Sequence, residues 1–212
     1  MRQSKPTLAG ERGSAVVEFA LVSIVIIPLF FGMVAIGMNM GQMIEAVQVS
    51  RDVGHMYADG VDFTQTANQN VAAMLATGTG MTATGGNAVI ILSEVSQIYQ
   101  ADCDAGNHSS NCTNINQTVF VNRVIIGNSS LTASRFGTPA AGIVTSTGTI
   151  AANDYLTNAS AVATGFAALM TAAGITLNQG DVTYVSETYF STPSLSFLPS
   201  AAAQGVYARS IF

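Results

Sequence analysis

Phe19 to Met38 reads FALVSIVIIPLFFGMVAIGM, twenty residues with no charge and a single hydroxyl, Ser23. Few folds accommodate such a run. At ~1.5 Å rise per residue it spans ~30 Å as a helix, the thickness of a bilayer's hydrocarbon core. A buried core helix of this length normally carries a polar stripe. A secretory signal peptide has a shorter apolar region, ~7–15 residues, closed by an A-x-A-like site. The run fits neither description and predicts a single membrane-spanning helix. Pro28 removes one helical hydrogen bond in mid-run and crowds the carbonyl of Ile24, so a kink is expected there.

Charge placement predicts the orientation. Arg2, Lys5 and Arg12 outweigh Glu11 ahead of the run, whereas from Ser14 onward four arginines face eleven acids. A basic head, an apolar segment and an acidic remainder predict an N-terminus in the cytoplasm and a head on the far side of the membrane. Only 9% of residues are charged, against roughly 25% in ordinary globular domains. That deficit excludes a solvating disordered tail. With seven Lys+Arg against twelve Asp+Glu, there is no basic footprint for nucleic acid.

Beyond the run the pattern changes without a helix stop. Ile36, Met40, Met43, Ile44 and Val47 form an apolar stripe, and Glu45, Gln48, Asp52, His55 and Asp59 a polar one. The spacing predicts one long helix that leaves the membrane, becomes amphipathic and ends near Gly60. Its apolar stripe is expected to cover the chain's own sheet or a neighbouring helix. Short helices are predicted over Gln65–Ala76 and Asp154–Ala173. The β-branched runs Ala88–Tyr99, Thr118–Ile126 and Val182–Phe190 predict strands, with Val206–Phe212 as a last edge strand. Ser129–Asn153 reads as irregular. The expected fold class is α+β, a long N-terminal helix carrying an antiparallel-sheet head with short helices. The expected organisation is 1–13 leader, 14–60 helix and 61–212 head.

Little in the head suggests chemistry. The glycines of TGTGMTATGG, Thr77–Gly86, do not match a phosphate-binding spacing and read as a turn. His55 and His108 have no partner at metal-ligand spacing, and Asp102 and Asp104 lack the EF-hand pattern. No nucleophile motif occurs. The expectation is a non-enzyme with no metal and no cofactor. Cys103 and Cys112 are the only cysteines, nine positions apart in the polar loop CDAGNHSSNC. On the far side of a bacterial inner membrane they are expected to pair as a disulfide, the alternative being two free thiols.

Glu18 is the most informative single residue. It stands one position before the apolar run and five after Gly13, in Gly13-Ser14-Ala15-Val16-Val17-Glu18-Phe19. An acid at a helix start often serves only the helix dipole. Here it follows a short basic leader and a glycine and precedes twenty apolar residues, the frame of a class III leader cut on the cytoplasmic side.

From Glu11 through Val22, with Pro28 following, the chain resembles TadE-like proteins, minor pseudopilins of the Tad (Flp, tight adherence) type IV pilus systems. The resemblance continues through Gly37-Met38-Asn39-Met40-Gly41 and Ser50-Arg51-Asp52-Val53-Gly54, and more loosely in Val182–Pro193. Asn39 and His55 depart from the acid and the arginine usual in the family. The resemblance implies a pilin-like fold and cleavage between Gly13 and Ser14 by a prepilin peptidase. It also implies that Glu18 and Phe19 form an assembly and processing motif. The implied partners are other pilin or pseudopilin subunits of a Tad secretion system. The implied setting is the bacterial inner membrane, with the head periplasmic or at the cell surface. Two alternatives remain: a structural pilin, or a signal-anchored periplasmic binding or adhesin domain that never assembles.

Overall fold

The computed structural model describes residues 11–131, 134–191 and 205–212. Its first element, α1, runs from Glu11 to Ala58 and continues through Pro28. Five further strands and helices of note follow in the head. These are α2 (Thr66–Leu75), β3 (Ala88–Gln97), β4 (Thr118–Gly127), β5 (Val182–Ser191) and β6 (Gly205–Ile211). A small hairpin, β1 (Met81–Thr82) and β2 (Gly85–Gly86), occupies the glycine-rich turn. Helices α3 (Gln100–Ala105), α4 (Ala152–Thr157) and α5 (Phe166–Ala172) lie in the connections. The arrangement is α+β. By its internal contacts the chain divides into two compact units, one ending at Gly41 and the other beginning at Gln42.

The four main strands form an antiparallel sheet in the order β4-β3-β5-β6. Runs such as AVIILSEV favour strand because β-branched side chains pack well on a pleated surface. Both faces of this sheet are covered, so β3 and β5 are buried on either side. On one face Ala88, Ile90, Leu92, Val124, Ile126 and Phe190 pack against Ala46, Val49, Val53 and Tyr57 of α1. On the other, Val95, Phe120 and Val185 pack under Phe136, Ile150, Phe166 and Met170, all supplied by the β4–β5 connection. Each fully buried Val, Leu, Ile, Phe or Met among them contributes ~1.5–3 kcal/mol.

The stripe that docks α1 differs from the expected one. Ala46, Val49, Ser50, Val53 and Tyr57 are buried, while Ile36, Met40, Met43, Ile44 and Val47 are exposed. Small side chains let the helix backbone approach the sheet. Ser50 Oγ donates to the Ser186 carbonyl at 2.9 Å. At Gly54 an added Cβ would run into the Phe212 ring and lie 2.9 Å from Ser186 Cβ. The large apolar side chains would hold the two surfaces apart and point elsewhere.

Asp154–Ala173 is not one helix. Asn158 interrupts it, its side chain accepting from Ser160 N at 3.0 Å, and Gly165 adopts a left-handed φ of 78° ahead of α5. Such local side-chain bonding competes with helix despite the alanine-rich composition. The loop that holds the cysteines likewise contains a helix, α3, with Cys103 on its buried side.

Candidate membrane and assembly segment

Among the described residues α1 is the one helix long and apolar enough to cross a membrane, over Ala15–Ala58. From Ala15 to Met38 every side chain is exposed except Ser23 and Ala35, which are half-buried. Phe19, Leu21, Ile24, Phe30, Phe31 and Met33 are each at least 60% exposed. A soluble protein does not leave so continuous an apolar surface to water. The surface requires lipid or apolar protein around it. Ser23 is no exception, because its hydroxyl donates to the Phe19 carbonyl one turn back at 2.7 Å.

Of the expected leader, residues 1–10 lie outside the described residues. Gly13 and Ser14 fall within the backbone of α1, near its start. Glu18 and Phe19 follow in the next turns, both exposed. Helical geometry places residue 18 one turn beyond residue 14 on the same side. The structure therefore carries Glu18, exposed, at the edge of the apolar surface, and among the described residues no side chain covers it.

In the head, Cys103 and Cys112 are joined by a disulfide with their Cα atoms 5.8 Å apart. The bond sits on a small apolar cluster of Ile98, Val119, Leu156 and Ala161. Closing a loop of this length restricts the unfolded chain by about 2.5–3 kcal/mol in the chain-entropy account. The nearby acids are used locally. Asp102 accepts from Tyr99 N at 2.8 Å, and Asp104 from Gln100 Nε2 at 2.8 Å. His108 Nδ1 lies 3.0 Å from Asn111 Oδ1, and the His55 ring lies against Phe212, tilted by 51° with centroids 4.3 Å apart. Among the described residues no three His, Cys, Asp or Glu side chains are grouped as a metal site.

Two polar features of the head were not legible in the sequence. The first is Glu187, buried on the face covered by the β4–β5 connection. It accepts from Ser134 Oγ at 2.6 Å, Arg135 N at 2.8 Å and the Tyr207 hydroxyl at 2.5 Å. Arg123, also buried, donates to the Gly137 carbonyl at 2.9 Å. Burial holds the Arg123 pKa below its ordinary value, and the charge of Glu187 opposes that shift. This network pins the β4–β5 connection to the sheet, since a buried charge must be hydrogen-bonded or paired. The second is Glu94, which lies in a cleft on the α1 face beside Tyr57 and Asn122.

Comparison with curated proteins finds no match, nor does comparison with solved structures. The family model of TadE-like proteins does match, over residues 13–54. The match begins at the glycine of the expected cleavage point and ends at Gly54, where α1 meets the sheet. Over that stretch, which holds the exposed apolar surface and Glu18, the chain is similar to TadE-like proteins.

Proposed function

We propose that this protein is a TadE-like minor pseudopilin of a Tad (Flp) pilus system, acting in pilus assembly, adhesion or secretion rather than as an enzyme. The observation that supports the reading is Glu18 at the edge of the exposed apolar stretch of α1, inside the segment that matches the family. In this reading a prepilin peptidase cuts between Gly13 and Ser14 on the cytoplasmic side of the inner membrane. The helix then anchors the subunit with its head in the periplasm, and other pilin or pseudopilin subunits meet its exposed apolar surface.

The role of Glu18 follows from solvation. A carboxylate at the bilayer centre costs ~2.5–3.5 kcal/mol by insertion scales. At the edge a lone subunit keeps the group hydrated. Packing helices around it removes that water and leaves the charge in need of a positive partner, which the new amine at Ser14 of a neighbouring subunit can supply. Such a pair sets register more than it adds stability. Glu18→Ala should therefore leave membrane insertion intact while removing the subunit from sheared surface filaments. Normal incorporation of the variant would defeat the assembly role. The alternative, a signal-anchored binding domain, keeps its leader, so a mature N-terminus at Ser14 in membrane-purified protein separates the two.

A further inference from the structure

The cleft at the C-terminal end of α1 is built around one carboxylate. Sheet register sets Glu94 of β3 directly opposite Asn122 of β4 on one side and Tyr184 of β5 on the other. Side chains so paired stand ~4.5–5.5 Å apart at Cβ and share a face. The next row of that face, Leu92 with Val124 and Ser186, belongs to the α1-side core. The β3–β4 register shifts immediately after Glu94, between Glu94 and Val95. Bulges of this kind re-aim side chains and recur beside functional sites. Tyr57 comes down from α1 onto this row, its ring edge-on to Tyr184 at 5.5 Å between centroids. Asp62 and Thr147 complete the rim of a cleft of about 180 Å³.

The polar atoms here are incompletely used. Among the described residues Asn122 Oδ1 is buried without a hydrogen-bond partner, and the buried Tyr57 hydroxyl, on a residue only 7% exposed, faces Glu94 without closing a well-formed hydrogen bond to it. Among the described residues no Lys or Arg lines the cleft. The head's arginines lie elsewhere, with Arg123, Arg135 and Arg209 seated on Phe120, Tyr207 and Phe136 on the sheet's other face. Burial raises the Glu94 pKa, opposed by the Tyr57 hydroxyl, as expected of a carboxylate held without a cation.

The geometry points to a binding site for a primary ammonium group, with Glu94 as counter-ion, Asn122 Oδ1 and the Tyr57 hydroxyl oxygen as hydrogen-bond acceptors, and the Tyr184 and Tyr57 rings as its walls. A carboxylate, buried acceptors and aromatic walls together suit a donor-rich cation. The negative charge of Asp62 at the rim favours the same sign. The cleft is smaller than the ~300 Å³ at which drug-sized ligand sites begin. It suits a single ammonium head on a short alkyl stem, from a lysine side chain or a free alkylamine. The site is independent of the reading of the N-terminal helix.

The test uses the full-length protein in phosphatidylcholine nanodiscs at pH 7, with n-butylammonium as probe and saturation-transfer NMR as readout. Saturable binding is expected, weakened at least about tenfold in Glu94→Gln, with neutral n-butanol failing to bind. Tyr57→Phe removes the hydroxyl that faces Glu94 and should weaken binding with the fold intact. A peptide with one lysine that binds tighter than butylammonium identifies a polypeptide source, and the reverse order a free amine. Equal binding to wild type and both variants, no saturation, or saturation by Ca²⁺ but not by the amine would overturn the assignment.

Discussion

Two stretches of one helix, residues 15–38 and 46–57, both present apolar side chains and behave oppositely. The first carries Val, Ile, Leu, Phe and Met on all sides and exposes them. The second turns Ala46, Val49, Ser50, Val53 and Gly54 onto the sheet. The difference lies in size more than in polarity. A surface that meets lipid is selected for apolar volume, because disordered chains adapt to any shape. A surface that meets a sheet is selected for fit, because protein interiors are close-packed and an extra methylene is felt. The most hydrophobic face of α1 is therefore not the face that holds the head together.

The largest effect should come from two valines two positions apart. Val49 is 3% exposed and Val47 48%. Val49→Asp places an unpaired carboxylate among Leu92, Ile90 and their neighbours and should cost about 4 kcal/mol or more, enough to unfold the head. Val47→Asp should stay within about 0.5 kcal/mol of wild type. Thermal melts of both variants in detergent measure the contrast. Similar melting temperatures would mean that α1 docks through another face.

A glycine pair comes next. Leucine at position 54 would force the Phe212 ring and Ser186 apart from the helix, whereas Gly32 has nothing within 4 Å of an added Cβ. Overpacking of this kind costs about 1–3 kcal/mol. For a chain of this size that is a fall of roughly 2–4 °C in Tm per kcal/mol. Gly54→Leu should show the fall and Gly32→Leu should not. An unchanged Tm for Gly54→Leu would indicate that the helix and sheet can separate at no cost.

These contrasts also mark what a sequence can disclose. The four main strands were legible because runs such as VIIL and TVFV leave a chain little choice but a pleated surface. The long helix was legible because no helix stop follows the apolar run until Gly60. Of the two covers expected for its apolar stripe, the chain's own sheet is not the one, and the face that docks on the sheet was not legible, since periodicity rewards large apolar side chains and passes over Ala46, Ser50 and Gly54. Asp154–Ala173 was misread because composition weighed alanine and not the local bonding of Asn158. Glu94 is the one acid in the strand AVIILSEV, but nothing in the sequence marks it as part of a site. Its neighbours were not legible either, because pairing with Asn122 and Tyr184 depends on register between segments tens of residues apart.

Glu94 provides the smallest expected effect and the sharpest use of the comparison, since it sits where the small-residue face of α1 gives way to polar groups. Tyr57 faces it from α1, Tyr184 from β5, and Asp62 shares the cleft from the loop after α1. Burial raises its folded-state pKa above the ordinary 4.5. Between the unfolded and folded pKa values the native state holds the proton more tightly, so stability falls as pH rises through that interval. Below the interval both states are protonated and the penalty disappears. Glu94→Gln should therefore be slightly more stable than wild type at pH 7, with the two converging as pH drops below about 4. Denaturant midpoints at pH 7 and pH 3.5 measure this. A Gln variant less stable than wild type at pH 7 would show that the carboxylate is already paired within its own chain, and that the cleft has no need of a cation from outside.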